Sequence, residues 1–134
     1  MNDATTPEAS FYDAVGGSAF FAQLVNGFYE GIESDEVLRP MYPAGDMSDA
    51  RRHLQLFLEQ YWGGPNTYQL ERGHPRLRMR HMDFTVNADA RDRWIMHMRN
   101  SLSKIDMTGN DRELELRDQL WTYLVTAAHS LINS

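Results

Sequence analysis

A chain of 134 residues, 42% of them apolar, is the size of one domain and can bury a core of its own. Its formal net charge of -6 argues against a general nucleic-acid binder, which would present a basic face. There is no cysteine, so disulfides, cysteine-bound zinc, iron–sulfur clusters and thiol catalysis are excluded.

The polar stretch 1–10 lacks the apolar run of a secretory signal and is expected to be a flexible tail, with the folded domain spanning 11–134. No stretch approaches the roughly eighteen apolar residues of a membrane span, and the expected compartment is the cytoplasm. Gly16-Gly17 marks a turn. After it, Phe21, Leu24, Val25, Phe28 and Ile32 recur at three-and-four spacing and predict a helix from about Ser18 to Ile32, with Tyr29 extending its apolar face. A short segment, Asp35 to Leu38, is stopped by Pro40 and Pro43, which cannot donate a backbone hydrogen bond. Ala50, Leu54, Phe57, Leu58 and Tyr61 predict the next helix, about Ser48 to Trp62, ended by Gly63-Gly64-Pro65. Residues 63–75 read as a loop, and Arg76 to Met82 as a basic helix of barely two turns. Asn87 is a candidate N-cap for a helix reaching about Ile105, with Trp94, Met98, Leu102 and Ile105 on one face. Gly109-Asn110 breaks the chain before a last helix, about Asp111 to Ile132, whose core side carries Leu116, Leu120, Leu124, Ala127 and Leu131. No strand pattern competes, so the expected class is all-α. A long loop ahead of so short a helix suits a helix pinned by a cofactor.

The five histidines, His53, His74, His81, His97 and His129, include no pair three or four apart, so no helix presents a paired metal face. Nucleophile elbows, P-loops and dinucleotide fingerprints are also missing. His81 stands apart because it ends the run Arg76-Leu77-Arg78-Met79-Arg80-His81. A haem needs an imidazole for its iron, guanidinium groups for its two propionates and apolar walls for its faces. This run offers the first two. A solvated basic segment with an ordinary histidine is the alternative reading of the same residues.

Three stretches decide between them. They are Phe11-Tyr12-Asp13-Ala14-Val15-Gly16-Gly17, Phe57-Leu58-Glu59-Gln60-Tyr61-Trp62-Gly63-Gly64-Pro65 and Gly73-His74-Pro75-Arg76-Leu77-Arg78-Met79-Arg80-His81. Together with Tyr42-Pro43, Trp94 and the ending Ala127-Ala128-His129-Ser130, they resemble the truncated haemoglobins, specifically the second group, over about residues 11–133. The resemblance implies a shortened globin, two helix pairs around haem b (iron protoporphyrin IX), with the proximal iron ligand at His81. The distal-helix position that carries histidine in many globins falls on Ala50, whose methyl cannot donate. The polar distal residues map to Tyr29, Tyr42 and Trp94, and Leu54 and Phe57 map to the apolar wall. Arg80, next to the ligand, is the first candidate for a propionate, followed by Arg78 and Arg76. Taken singly, Tyr29 and Trp94 would read as core residues and Tyr42 as a loop anchor. His53 is expected at solvent or the haem edge, His97 on a polar flank, and His129 packed or at the surface near the last turn. His74 is expected to shape its loop.

The resemblance implies binding of oxygen, nitric oxide, carbon monoxide or peroxide. Oxygen transport is the broad heading under which globins fall. However, phenol and indole donors each stabilise a ligand carrying negative charge by roughly 1.5–3 kcal/mol, which favours tight retention of oxygen over its delivery. Nitric oxide dioxygenation or peroxide reduction would then be the chemistry. The chain has no flavin or nicotinamide motif, so an unidentified reductase is expected as partner, and a homodimer is left open. The alternatives are a haem-based gas or redox sensor acting through a partner, and a cofactor-free helical interaction protein.

Overall fold

The computed structural model describes residues 10–42, 45–82, 84–105 and 111–133, apart from the side chains of 77–78 and 111–113. Most of the expected tail, Pro43 and the Gly109-Asn110 break lie outside them. In chain order the helices are α1 (Phe11–Ala14), α2 (Ser18–Glu33), a 3-10 turn (Arg39–Met41), α3 (Ser48–Tyr61), α4 (Thr67–Arg72), α5 (Leu77–Arg80), α6 (Ala88–Ser103) and α7 (Asp111–Ser130). No strand occurs among the described residues. No helix there is long and apolar enough to cross a membrane. The α2 and α3 pair lies over the α6 and α7 pair, the two-over-two arrangement expected from the sequence.

The helices form where the apolar periodicity puts them. Phe21, Leu24, Val25, Phe28 and Ile32 of α2 are all buried and meet Met98 and Leu102 of α6 and Leu116, Leu120 and Leu124 of α7 in one core. Asn87 caps α6 as expected, its Oδ1 accepting from the Ala90 N–H at 2.9 Å. The close crossing of α2 and α6 depends on two glycines one turn apart. A Cβ at Gly27 would sit 2.3 Å from Ser101 Oγ, and one at Gly31 would sit 2.3 Å from His97 Nδ1. Ser101 Oγ donates to the Leu24 carbonyl at 2.6 Å, so even the polar group at this crossing is satisfied across it.

The structure adds to the local reading of the sequence, or departs from it, at four places. Phe11–Ala14 forms a helical turn, with Ser10 Oγ accepting from the Asp13 N–H at 3.2 Å, and Tyr12 N donates to the Trp62 carbonyl at 2.9 Å. The stretch expected as loop 63–75 contains α4. An ion pair from Arg52 of α3 to Glu71 ties this helix down, as does a hydrogen bond from the Gln69 N–H to Gln60 Oε1 at 2.9 Å. Asp35 to Leu38 is a turn, and the 3-10 helix follows it at Arg39–Met41, with Pro40 placed early, where its missing N–H costs nothing. On α7 the buried ridge is Leu116, Leu120, Leu124 and Ala128. Ala127 and Leu131 are half-buried one step round the helix.

Candidate functional site

Beside the core, α2, α3, α4, α6 and α7 leave a space between them. Its larger chamber, about 880 Å³ counting the open mouth, has Leu54 and Phe57 of α3, Leu124 and Ala127 of α7, and Tyr68 of α4 among its walls. A neighbouring chamber, about 630 Å³ again counting its open mouth, is lined by Leu38, Met41, Phe84, Val86 and Arg91 and shares His81, Tyr42, Trp94, Ala128 and Leu131 with the first.

The structure brings Tyr29, Tyr42, Ala50, Leu54, Phe57, Arg80, His81 and Trp94 to the wall of the larger chamber. Tyr29 and Tyr42 meet edge to face with centroids 5.5 Å apart. Burial, reinforced by the neighbouring phenol, holds the Tyr29 hydroxyl protonated far above the usual phenol range, and burial also raises Tyr42. Among the described residues the Tyr29 hydroxyl interacts with that of Tyr42 and, more weakly, with the charge of Arg51, whose guanidinium lies over the Tyr29 ring, and the Trp94 N–H has no hydrogen-bond partner. Phe28 stands between these groups, 5.1 Å from Tyr29 and 5.3 Å from Trp94 by ring centroid.

His81 follows the last residue of α5, half-buried and facing both chambers. Its segment is fastened from two directions. Asn133, beyond α7, donates from Nδ2 to the carbonyls of His81 (3.1 Å) and Phe84 (2.9 Å), and exchanges two further hydrogen bonds with the Val86 backbone. Arg80 donates from Nε to the Pro75 carbonyl at 2.7 Å and from Nη2 to the Arg72 carbonyl at 3.1 Å, bracing the turn ahead of α5. The first candidate for an anion contact therefore also holds the loop. The Arg78 side chain lies outside the described residues. Arg76 adopts φ 46° in the turn and is exposed.

Sequence reasoning missed several wall residues. Arg72 of α4 lines the larger chamber, with Nη1 3.2 Å from His53 Nδ1 and its guanidinium over the Tyr68 ring. Burial and the Arg72 charge lower the His53 pKa, which favours a neutral ring at the chamber wall. Arg91 lines the second chamber and reaches His129 Nδ1 at 3.1 Å. Neither arginine had a sequence signal beyond its charge.

His97 does not lie on a polar flank. It is buried, and Nε2 is 2.7 Å from Asp35 Oδ2. Asp35 Oδ1 accepts from the N–H groups of Val37 and Leu38, both at 2.9 Å, and from Arg93 Nη1 at 3.2 Å. Burial alone would raise the Asp35 carboxyl. The hydrogen bond with His97, the two backbone N–H groups and the Arg93 charge outweigh it and hold the pKa at about 2. This cluster joins the turn leading to Tyr42 with the residues flanking Trp94 on α6.

The donor set fits a haem. The His81 imidazole, with His53 as a second ring at the wall, meets apolar walls, arginines at the periphery and phenol and indole donors at one space. Comparison with known proteins agrees. The family model for bacterial-like globins matches residues 10–129. A group 2 truncated hemoglobin of Bacillus subtilis (strain 168) is 34% identical over 122 residues, 91% of this chain and 87% of that protein. The structure of a thermostable hemoglobin from the actinobacterium Thermobifida fusca is similar with a TM-score of 0.85 and 49% identity, covering 93% of this chain and 98% of that one. A truncated oxygen-avid haemoglobin from Bacillus subtilis gives a TM-score of 0.83 at 33% identity, covering 93% and 100%. The chain therefore belongs to the bacterial-like globin family of truncated haemoglobins, whose members bind diatomic gases at a haem.

Proposed function

We propose that the protein holds haem b through His81 and retains oxygen tightly, for chemistry on the held gas rather than for delivery. Nitric oxide dioxygenation or peroxide reduction, with electrons from a separate reductase, is the use that this implies. The observation that carries the reading is the convergence of Tyr29, Tyr42 and Trp94 on one apolar chamber with His81, their donors making no hydrogen bond outside that group among the described residues. A haem supplies ferrous iron that binds diatomic gases reversibly. The chain's own residues set how long the gas stays.

A ligand gaining negative charge in this chamber meets up to three O–H or N–H donors. A hydrogen bond to a charged acceptor contributes roughly 1.5–3 kcal/mol, and about 1.4 kcal/mol corresponds to a tenfold change in rate. The raised phenol pKa values keep Tyr29 and Tyr42 in the donor form at neutral pH. Ala50 adds no donor, and Leu54 and Phe57 keep that side of the chamber apolar. Arg72, Arg80 and Arg91 supply charges suited to the two propionates. The Bacillus subtilis relative described as oxygen-avid supports the same reading.

Trp94→Phe tests it, because the change removes the N–H and keeps much of the ring volume. Oxygen dissociation from the reduced haem-loaded protein, followed by stopped flow, should become roughly tenfold faster. Carbon monoxide dissociation should change much less, since that ligand gains less charge. Equal responses of the two gases would mean that Trp94 acts by bulk, and the retention reading would fail.

A further inference from the structure

From the same chamber an aromatic path runs to the surface. Tyr123 of α7 lines the chamber and stacks on Tyr61, with centroids 4.1 Å apart and planes inclined by 27°. Tyr61, the last residue of α3, is 54% exposed and is the one exposed tyrosine of the six in the chain. Trp62 stands edge-on to both rings, at 5.3 and 5.5 Å. We propose that Tyr123 and Tyr61 carry electrons from the surface to the chamber, Tyr61 being the outer site at which an aromatic reductant too large to enter is oxidised. The proposal rests on the haem reading given above.

The direction of the path follows from where protons can go. Electronic coupling falls steeply with distance, so rings in van der Waals contact form the fast route. Oxidation of a phenol is favourable only if its proton leaves with the electron. Tyr123 is half-buried with its phenol pKa pushed up to about 12, mainly by burial, so it gives up its proton reluctantly. The Trp62 indole nitrogen is buried with no hydrogen-bond partner, so its N–H has no acceptor. Tyr61 faces solvent, which accepts the proton directly. An electron vacancy passed outward therefore comes to rest on Tyr61.

With hydrogen peroxide as oxidant the balance closes. One peroxide accepts two electrons and two protons and leaves as two waters. Two Tyr61 phenols, on two molecules, each lose one electron and one proton. Where a phenolic reductant is present, it returns an electron and a proton to the Tyr61 radical and is itself oxidised. Without one, the two Tyr61 radicals join through a carbon–carbon bond between positions ortho to the oxygens, and each ring then moves its ortho hydrogen to oxygen.

The haem-loaded protein is treated with hydrogen peroxide in the absence of reductant. It is then read for dityrosine fluorescence and for a dimer that survives denaturing electrophoresis. The parent should give both, Tyr61→Phe should lose both, and Tyr123→Phe should form them more slowly, each variant keeping the parent Soret band. Crosslinking by Tyr61→Phe at the parent level overturns the proposal, and so does a Tyr123→Phe rate equal to the parent's. A parent that shows the Soret band without dityrosine refutes the path alone. A parent that takes up no hemin and shows no Soret band refutes the haem reading beneath it.

Discussion

Replacing Asp35 by asparagine keeps the shape of a side chain that is 2% exposed and removes its charge. The amide oxygen can still accept from the N–H groups of Val37 and Leu38, but the NH2 group takes the place of an oxygen 2.7 Å from His97 Nε2. Arg93 loses its inner partner and keeps Asp89, 3.1 Å away on its exposed side. Two routes give the size of the effect. The carboxyl pKa falls from 3.8 to about 2 on folding, and at 1.36 kcal/mol per unit this is roughly 2 kcal/mol of stability. Exchanging charge-assisted hydrogen bonds for neutral ones gives a loss of about the same size.

The pH dependence follows from the direction of the shift. A carboxylate with a depressed folded pKa contributes stability that is fully present above its unfolded value. That contribution is lost as pH falls from about 4 towards the folded value near 2. Urea unfolding of the haem-loaded Asp35→Asn protein should therefore show a deficit of roughly 2 kcal/mol at neutral pH that shrinks below about pH 4. A deficit under about 0.5 kcal/mol at neutral pH, the range of an ordinary surface substitution, would refute the argument. So would a deficit independent of pH.

Two further substitutions test the frame around the site. Gly27→Ala would place a methyl carbon 2.3 Å from Ser101 Oγ, a group fixed by its bond to the Leu24 carbonyl, and should destabilise by about 1–3 kcal/mol. An unchanged thermal midpoint would show that α2 and α6 separate without penalty. Arg80→Ala removes the braces to Pro75 and Arg72 ahead of His81, so hemin transfer to an acceptor apoprotein should accelerate. An unchanged transfer rate would relieve Arg80 of both the loop and the propionate roles.

The long helices were legible because burial follows a period. Phe21, Leu24 and Phe28 of α2, and Leu116, Leu120 and Leu124 of α7, are core in the structure for the reason they stood out in the sequence. The chamber residues were legible only through the resemblance of long motifs, because a tyrosine on an apolar face looks the same whether it packs or lines a cavity. What escaped was tertiary. His97 reads as one more polar residue on α6 until Asp35, sixty-two positions away, is brought against it. Thr67–Arg72 looks like a loop because a six-residue helix has little intrinsic stability, and its contacts with α3 through Arg52 and Gln60 are not local in sequence. Asn133 gave no signal at all, since its role is to accept from and donate to a backbone some fifty residues earlier.

These long-range groups share one purpose in the architecture. Tyr29, Tyr42 and Trp94 come from three separate elements, so their convergence depends on how closely those elements approach. Gly27 and Gly31 let α6 come within side-chain contact of α2, which brings Trp94 and Tyr29 to either side of Phe28. His97 fills the space left by Gly31 and, with Arg93, holds Asp35, whose carboxylate fixes the turn that delivers Tyr42. Trp94 lies between Arg93 and His97 in the chain, so the residues that anchor the turn also bracket the indole. A shift of α6 against α2 would then move Trp94 and Tyr42 together, so under the function proposed above the packing of the helices would set how long the gas is retained.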